Sequence, residues 1–121
     1  PIWLGGKTPR SLRRALALAD GWDPFYLTVD ELGTLLARAR AWPEWHARAE
    51  RGDKLTLVFS PDEVFDVALP EQRVQMAALL RRYAAIGTDV LTLRFRSTSC
   101  EHLLEQLDAF AREVAPEFAG A

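Results

Sequence analysis

The sequence predicts an α/β fold, and three observations predict it. Short apolar or β-branched runs alternate four times with amphipathic helical stretches, at a spacing of roughly 30 residues. Each run ends in glycine, proline or hydroxyl residues that lead to a helix-start signal. The composition, 49% hydrophobic and 26% charged over 121 residues, is that of one globular domain with apolar surface for a core. Parallel strands joined by right-handed helical crossovers follow from this order.

The first unit is Ile2 to Leu4 as strand, the turn Gly5-Gly6-Lys7, and a helix with Thr8 as N-cap and Pro9 at its first position. Leu12, Ala15, Leu16 and Ala19 share one face of that helix, and Asp20-Gly21 ends it. A short strand around Trp22 to Tyr26 comes next. Thr28-x-x-Glu31 is a capping box that opens the stripe Leu32, Leu35, Leu36, Ala39 and Trp42. Pro43 restarts or kinks this helix, and Gly52-Asp53 closes it.

Leu55 to Phe59 reads as a strand buried on both faces, stopped by Ser60-Pro61. After a partly acidic connection, a helix from Leu69-Pro70 carries Met76, Leu79, Leu80 and Tyr83 on one face, with Gly87 as its C′ residue. The fourth unit is Val90 to Phe95 as strand. Its helix carries Leu103, Leu104, Leu107, Phe110, Ala111 and Val114, with Thr98-x-x-Glu101 as its cap and a stop before Pro116.

The balance of charges narrows the partners. Fifteen basic against 17 acidic residues leave a formal charge of -2, which offers no overall attraction to nucleic acid or an anionic membrane. One cysteine, Cys100, excludes an internal disulfide framework and gives no paired spacing for zinc, so a reducing, cytoplasmic setting fits best. No apolar run approaches the roughly 20 residues that cross a bilayer, and no export signal is visible. The chain begins at Pro1 and is expected to be a piece of a longer one.

Four βα units suit either a small doubly wound sheet or half of an eight-stranded barrel, since a full barrel takes about 250 residues. Strand order discriminates: a central first strand marks the doubly wound sheet, and neighbouring first and fourth strands mark barrel material. A half-barrel would leave two edge strands and an apolar face open, and calls for a missing N-terminal half or a second copy.

The segment PIWLGG, followed by a polar turn and RSLRRALALADGWDPF, resembles the start of the later half of the barrel in bacterial-luciferase-like monooxygenases and deazaflavin-dependent oxidoreductases. LTLVF, LLRRYAAIGTDVLTLRF and EHLLEQLDAFAREVAPEF are similar to the last two strands and terminal helix of that family, in order. The resemblance covers nearly the whole chain. It implies four βα units forming half of a TIM barrel, and a deazaflavin coenzyme or FMN whose phosphate rests on Gly5, Gly6, Lys7 and Thr8 at the C-terminal mouth of the strands. Lys7 departs from the small polar residue often found in that turn. The family's ring-holding and acid–base groups lie in the earlier half of the barrel, so the resemblance assigns no catalytic residue here. The partners it implies are a flavin-type cofactor and a small organic substrate.

The phosphate site also has a reading from chemistry alone, because glycines admit close backbone approach and the N–H groups of a helix start favour an anion. The plain alternative is an ordinary βα turn. Asp23, at a strand's C-terminal end, is a candidate ligand contact. Arg94 and Arg96 share parity with Val90 and Thr92, opposite Leu91, Leu93 and Phe95, and are candidates for an anionic substrate or cofactor tail, or for a salt bridge at the sheet end. Arg10, Arg13 and Arg14 read as a solvated helix surface, and His46 and His102 as surface residues without metal-ligand spacing. Cys100 has no paired base, and Trp42, Trp45, Phe25 and Tyr26 belong to core packing or an interface.

Overall fold

The computed structural model describes residues 1–119, and these pack as two compact units. Unit 1 comprises Pro1–Asp62 and Tyr83–Thr92; unit 2 comprises Glu63–Arg82 and the chain from Leu93 onward. Helix α4 (Pro70–Ala85) contributes its first three turns to unit 2 and its end to unit 1.

Unit 1 contains β1 (Trp3–Leu4), α1 (Pro9–Leu18), β2 (Gly21–Trp22), α2 (Val29–Ala39), α3 (Pro43–Glu50), β3 (Thr56–Phe59) and β4 (Val90–Leu91). All strand pairs are parallel, in the order β1-β2-β3-β4. The sheet is therefore open and singly wound. β1 lies at an edge rather than at the centre, which rules out the doubly wound arrangement with its switch point. β1 and β4 occupy opposite edges, so the expectation that barrel material brings the first and fourth strands together is not met; in four consecutive strands of a half-barrel the first and last are necessarily the two edges. Right-handed crossovers that all step in one direction place α1 and the α2–α3 pair on the same face, and α1 touches β1, β2 and α3.

Register fixes the two faces of the sheet. Leu4, Trp22 and Leu57 stand side by side, as do Phe59 and Leu91, while Trp3, Gly21 and Thr56 point the other way with Val58 and Val90. The first face meets the helices: the fully buried Trp22 indole donates to Ser11 Oγ at 3.3 Å and meets Phe59 edge-on at 6.1 Å. Phe59 in turn packs on Tyr83 at 6.2 Å. Leu12, Ala15, Leu16 and Ala19 are all buried, as their spacing predicts, and so are Leu32, Leu35, Leu36 and Ala39. Trp42 leaves that stripe, because α2 ends at Ala39 and Trp42 becomes the N-cap of α3 ahead of Pro43.

Strands are shorter than the apolar runs that announce them. The run from Trp22 to Tyr26 yields only Gly21–Trp22, since Pro24 has no N–H to give the ladder. Gly21 lies inside this strand rather than closing α1; a Cβ there would come within 2.6 Å of the Trp3 indole. The run from Val90 to Phe95 forms a strand only at Val90–Leu91, after Asp89 has anchored it by accepting from Leu57 N–H at 2.9 Å and pairing with Lys54.

Arg48, on α3, is buried and carries five hydrogen bonds. Its Nη1 donates to the carbonyls of Ala15, Leu16 and Ala19, and its Nε and Nη2 to Asp53 O and Oδ1. It closes the C-terminus of α1, where orphan carbonyls and the negative end of the helix dipole favour a cation. Arg13 is exposed but not merely solvated: it lies over the Trp42 ring at 4.1 Å and 3.8 Å from Glu44.

Unit 2 contains the start of α4, α5 (Cys100–Ala109), a π-helical turn (Phe110–Val114) and α6 (Ala115–Phe118), with one parallel bridge between Phe65 and Phe95. The final helix departs from its predicted face. Leu103, Leu104 and Leu107 are exposed, Leu104 by 59%, whereas Gln106 is fully buried with Ala109 and Val114. Gln106 Oε1 accepts from Val67 N–H at 3.0 Å and Nε2 donates to the Arg96 carbonyl at 2.9 Å, so burial of this amide satisfies two backbone groups. Ser99, not Thr98, is the N-cap, accepting from His102 N–H. The helix also passes Pro116 instead of stopping before it. The π turn widens the ladder just where proline removes a donor, and α6 restarts with Pro116 in its first turn.

Candidate functional site

The C-terminal ends of β1 and β2 lie side by side in unit 1, and the two loops leaving them carry the candidate residues. After Leu4 the chain turns through Gly5 and Gly6, with Gly6 at φ +117°, a conformation open to glycine. A Cβ on Gly6 would come within 2.5 Å of Ser11 Cβ, so the turn is pressed onto the first turn of α1. Gly5 has a less exacting role: a Cβ there would make ordinary contact with Asp23 O, 3.4 Å away.

Thr8 and Ser11 form a reciprocal cap. Ser11 N–H donates to Thr8 Oγ1 at 3.1 Å and Thr8 N–H to Ser11 Oγ at 3.2 Å. Pro9 has no N–H. The helix start is thus largely satisfied from within, and an anion would be met instead by the glycine-turn amides, the exposed Lys7 ammonium and the Thr8 hydroxyl proton. The group on Thr8 that the sequence assigns to an anion is partly spent on the cap.

Asp23 follows β2, its N–H donating to Leu4 O at 2.9 Å across the two strand ends. Partial burial pushes its carboxyl above the ordinary value of 3.8. Beyond it, Phe25 and Tyr26 stand out from the surface with their rings edge to face at 5.3 Å. Phe25 Cε1 lies 4.0 Å from where a Gly5 Cβ would be, which puts this ring on the glycine turn. Tyr26 has φ +57°, left-handed backbone that costs a non-glycine residue about 1–2 kcal/mol. Sequence reasoning placed these rings in packing or an interface and had no signal for the Tyr26 conformation, because tyrosine is not a residue that favours it.

Arg94 and Arg96 belong to unit 2, not to a strand, and both are exposed. The expected alternation survives in their burial pattern: Leu91, Leu93 and Phe95 are half-buried, and Thr92, Arg94 and Arg96 exposed. Phe95 packs on Phe110 at 5.7 Å, and Arg96 enters the fold through its backbone, donating to Phe65 O at 2.8 Å.

His102 differs most from its expected surface position. Its Nδ1 accepts from Thr98 N–H at 3.1 Å, which leaves the proton on Nε2, 3.1 Å from Asp66 Oδ2, and both side chains are mostly buried. Asp66 Oδ1 also accepts from Ala68 N–H, so the pair ties the residues after Phe65 to the start of α5. His46 and Cys100 are exposed. Among the described residues no group of three His, Cys, Asp or Glu could hold a metal ion, and no helix is long and apolar enough to cross a membrane.

A cavity of about 270 Å³ in unit 1 is lined by none of these loop residues but by Arg48, Asp53, Lys54 and their neighbours before β3. With the Arg48 guanidinium committed to helix carbonyls and Asp53, it is a by-product of packing. Comparison with protein families, with curated proteins and with solved structures finds no match to this chain.

Proposed function

We propose that the chain forms the C-terminal half of a luciferase-like TIM barrel and contributes the phosphate site of a deazaflavin- or flavin-dependent oxidoreductase or monooxygenase. The observation that carries this reading is the order β1-β2-β3-β4, all parallel, because any four consecutive strands of a closed βα barrel run in that order. Support also comes from the place of the glycine turn, at the C-terminal end of β1 where barrel enzymes bind their ligands. The residues fit the phosphate end of such a cofactor: two glycines, a lysine and a hydroxyl. When bound, the cofactor supplies the hydride or oxygen chemistry, and this chain orients one end of it. A reducing cytoplasmic setting suits the exposed Cys100 thiol.

The test is titration of the purified protein with FMN, with a deazaflavin and with riboflavin, which lacks the phosphate. Tighter binding of FMN than riboflavin, lost in Lys7→Glu, is the expected result. Absence of FMN and deazaflavin binding at high micromolar concentration overturns the proposal.

A second reading is favoured by Trp3 and Val90, which lie on the two edge strands, on the face turned from α1, and are 46% and 37% exposed. It makes the chain a non-catalytic half-barrel that covers this face and its edges with a second copy. Sedimentation decides it, since a monomer at micromolar concentration contradicts self-association.

A further inference from the structure

We infer that Phe25 and Tyr26 form a ring-binding wall beside the glycine turn, so that this chain holds the planar unsaturated ring of a phosphorylated ligand as well as its phosphate. The inference rests on the phosphate reading above and extends it, because that reading leaves ring contacts to the missing half of the barrel.

The loop from Asp23 to Thr28 is pinned at both ends. Pro24 is buried two residues after β2, and Thr28 caps α2 by accepting from Glu31 N–H at 3.2 Å, followed by the buried Val29. Between these anchors Phe25 and Tyr26 project, 52% and 75% exposed. A loop with fixed ends that presents two large rings to water orders a recognition surface in advance and lowers the entropy lost on binding.

Tyr26 sharpens the argument. A bulky residue with φ +57° is an outlier, and the glycine that would relieve it is absent. Strain retained at an aromatic residue that is 75% exposed points to the ring itself as the useful element. The nearly perpendicular pair, 89° between planes, offers the face of one ring and the edge of the other, the two ways in which aromatic groups meet.

Position selects the class of ligand. Phe25 Cε1 is 4.0 Å from the Cβ position of Gly5, so the wall rises from the same turn that carries Gly6 and Lys7. One molecule with an anionic phosphate and a flat heteroaromatic ring, joined by a short flexible chain, can touch both.

The experiment measures FMN and riboflavin binding by quenching of flavin fluorescence, together with thermal midpoints, for the protein and its Tyr26→Gly, Tyr26→Phe and Lys7→Ala variants. Tyr26→Gly is expected to weaken both ligands about tenfold, the usual worth of one stacked ring, while leaving the thermal midpoint unchanged or higher because glycine accepts the backbone. Tyr26→Phe keeps the ring and is expected to keep the affinity. Lys7→Ala weakens FMN and spares riboflavin. If Tyr26→Gly binds FMN as tightly as the unaltered protein, or if the unaltered protein binds neither ligand, the ring wall is overturned. If Lys7→Ala changes neither affinity while Tyr26→Gly weakens both, the phosphate reading falls and the ring wall stands.

Discussion

Unit 1 and unit 2 hide their interiors by different means. In unit 1 the apolar residues at helical spacing are the buried ones, and Trp22, Phe59 and Tyr83 pack edge-on and tilted into a continuous aromatic core. In unit 2 the α4 residues Met76, Ala77 and Leu80 are buried at helical spacing, but the α5 stripe Leu103, Leu104 and Leu107 faces outward, and the buried centre of that helix is an amide, Gln106. A helix on a sheet must turn its stripe to a broad apolar surface. Among the described residues unit 2 has one two-residue bridge, and the face that α5 buries is set where irregular backbone needs hydrogen-bond partners: Val67, Arg96, Thr98 and Ala68 each find a side chain.

The strongest test of this contrast is Trp22→Ala. Removing a fully buried indole from the unit 1 core is expected to cost about 3–5 kcal/mol in urea unfolding. A loss below about 1 kcal/mol would break the picture of a core held by packing. Gln106→Leu probes the other unit. It adds apolar volume yet leaves the buried Val67 N–H without its acceptor, and is expected to destabilise by about 1–3 kcal/mol. A more stable Gln106→Leu protein would mean that the placement of α5 is also governed by apolar burial.

Asp23→Asn gives a smaller effect whose pH dependence is diagnostic. Burial raises the Asp23 carboxyl above 3.8 in the folded chain, so folding favours its protonated form. That stability is complete below 3.8 and is lost as pH rises through the higher folded value. The asparagine variant, free of this penalty, should unfold at a higher temperature than the parent at neutral pH, with the gap closing below pH 3.8. A gap that does not change with pH would assign the effect to packing alone. Leu104→Ala is the smallest change, expected within about 0.5 kcal/mol of the parent because the side chain is exposed. A cost several times larger would show that this stripe is covered in solution.

Legibility in the sequence followed the range of the interaction. The Thr8 and Thr28 caps, the Pro9 start and the turn at Gly87 were readable because each is completed within a few residues. Arg48 was not: its carbonyl partners at Ala15, Leu16 and Ala19 lie about 30 residues away, and an arginine in a charged helical stretch carries no mark of burial. The His102–Asp66 pair was hidden for the same reason, across 36 residues with no metal or catalytic spacing to announce it. Of the candidate site, Gly5, Gly6, Lys7, Thr8 and Asp23 were legible as strand-end residues, while the consumption of the helix start by the Thr8–Ser11 cap and the strained display of Tyr26 were not.

By itself the sequence determined the α/β class, the order of the elements and most helix starts, because hydrophobic period and capping hydrogen bonds are local and act before the chain has found its distant partners. Tertiary structure alone decided how short the strands are, that the sheet is singly wound, and which face of the final helix is buried. Those outcomes depend on satisfying backbone polar groups far apart in the chain, and at Gln106 that requirement outweighed the burial of three leucines.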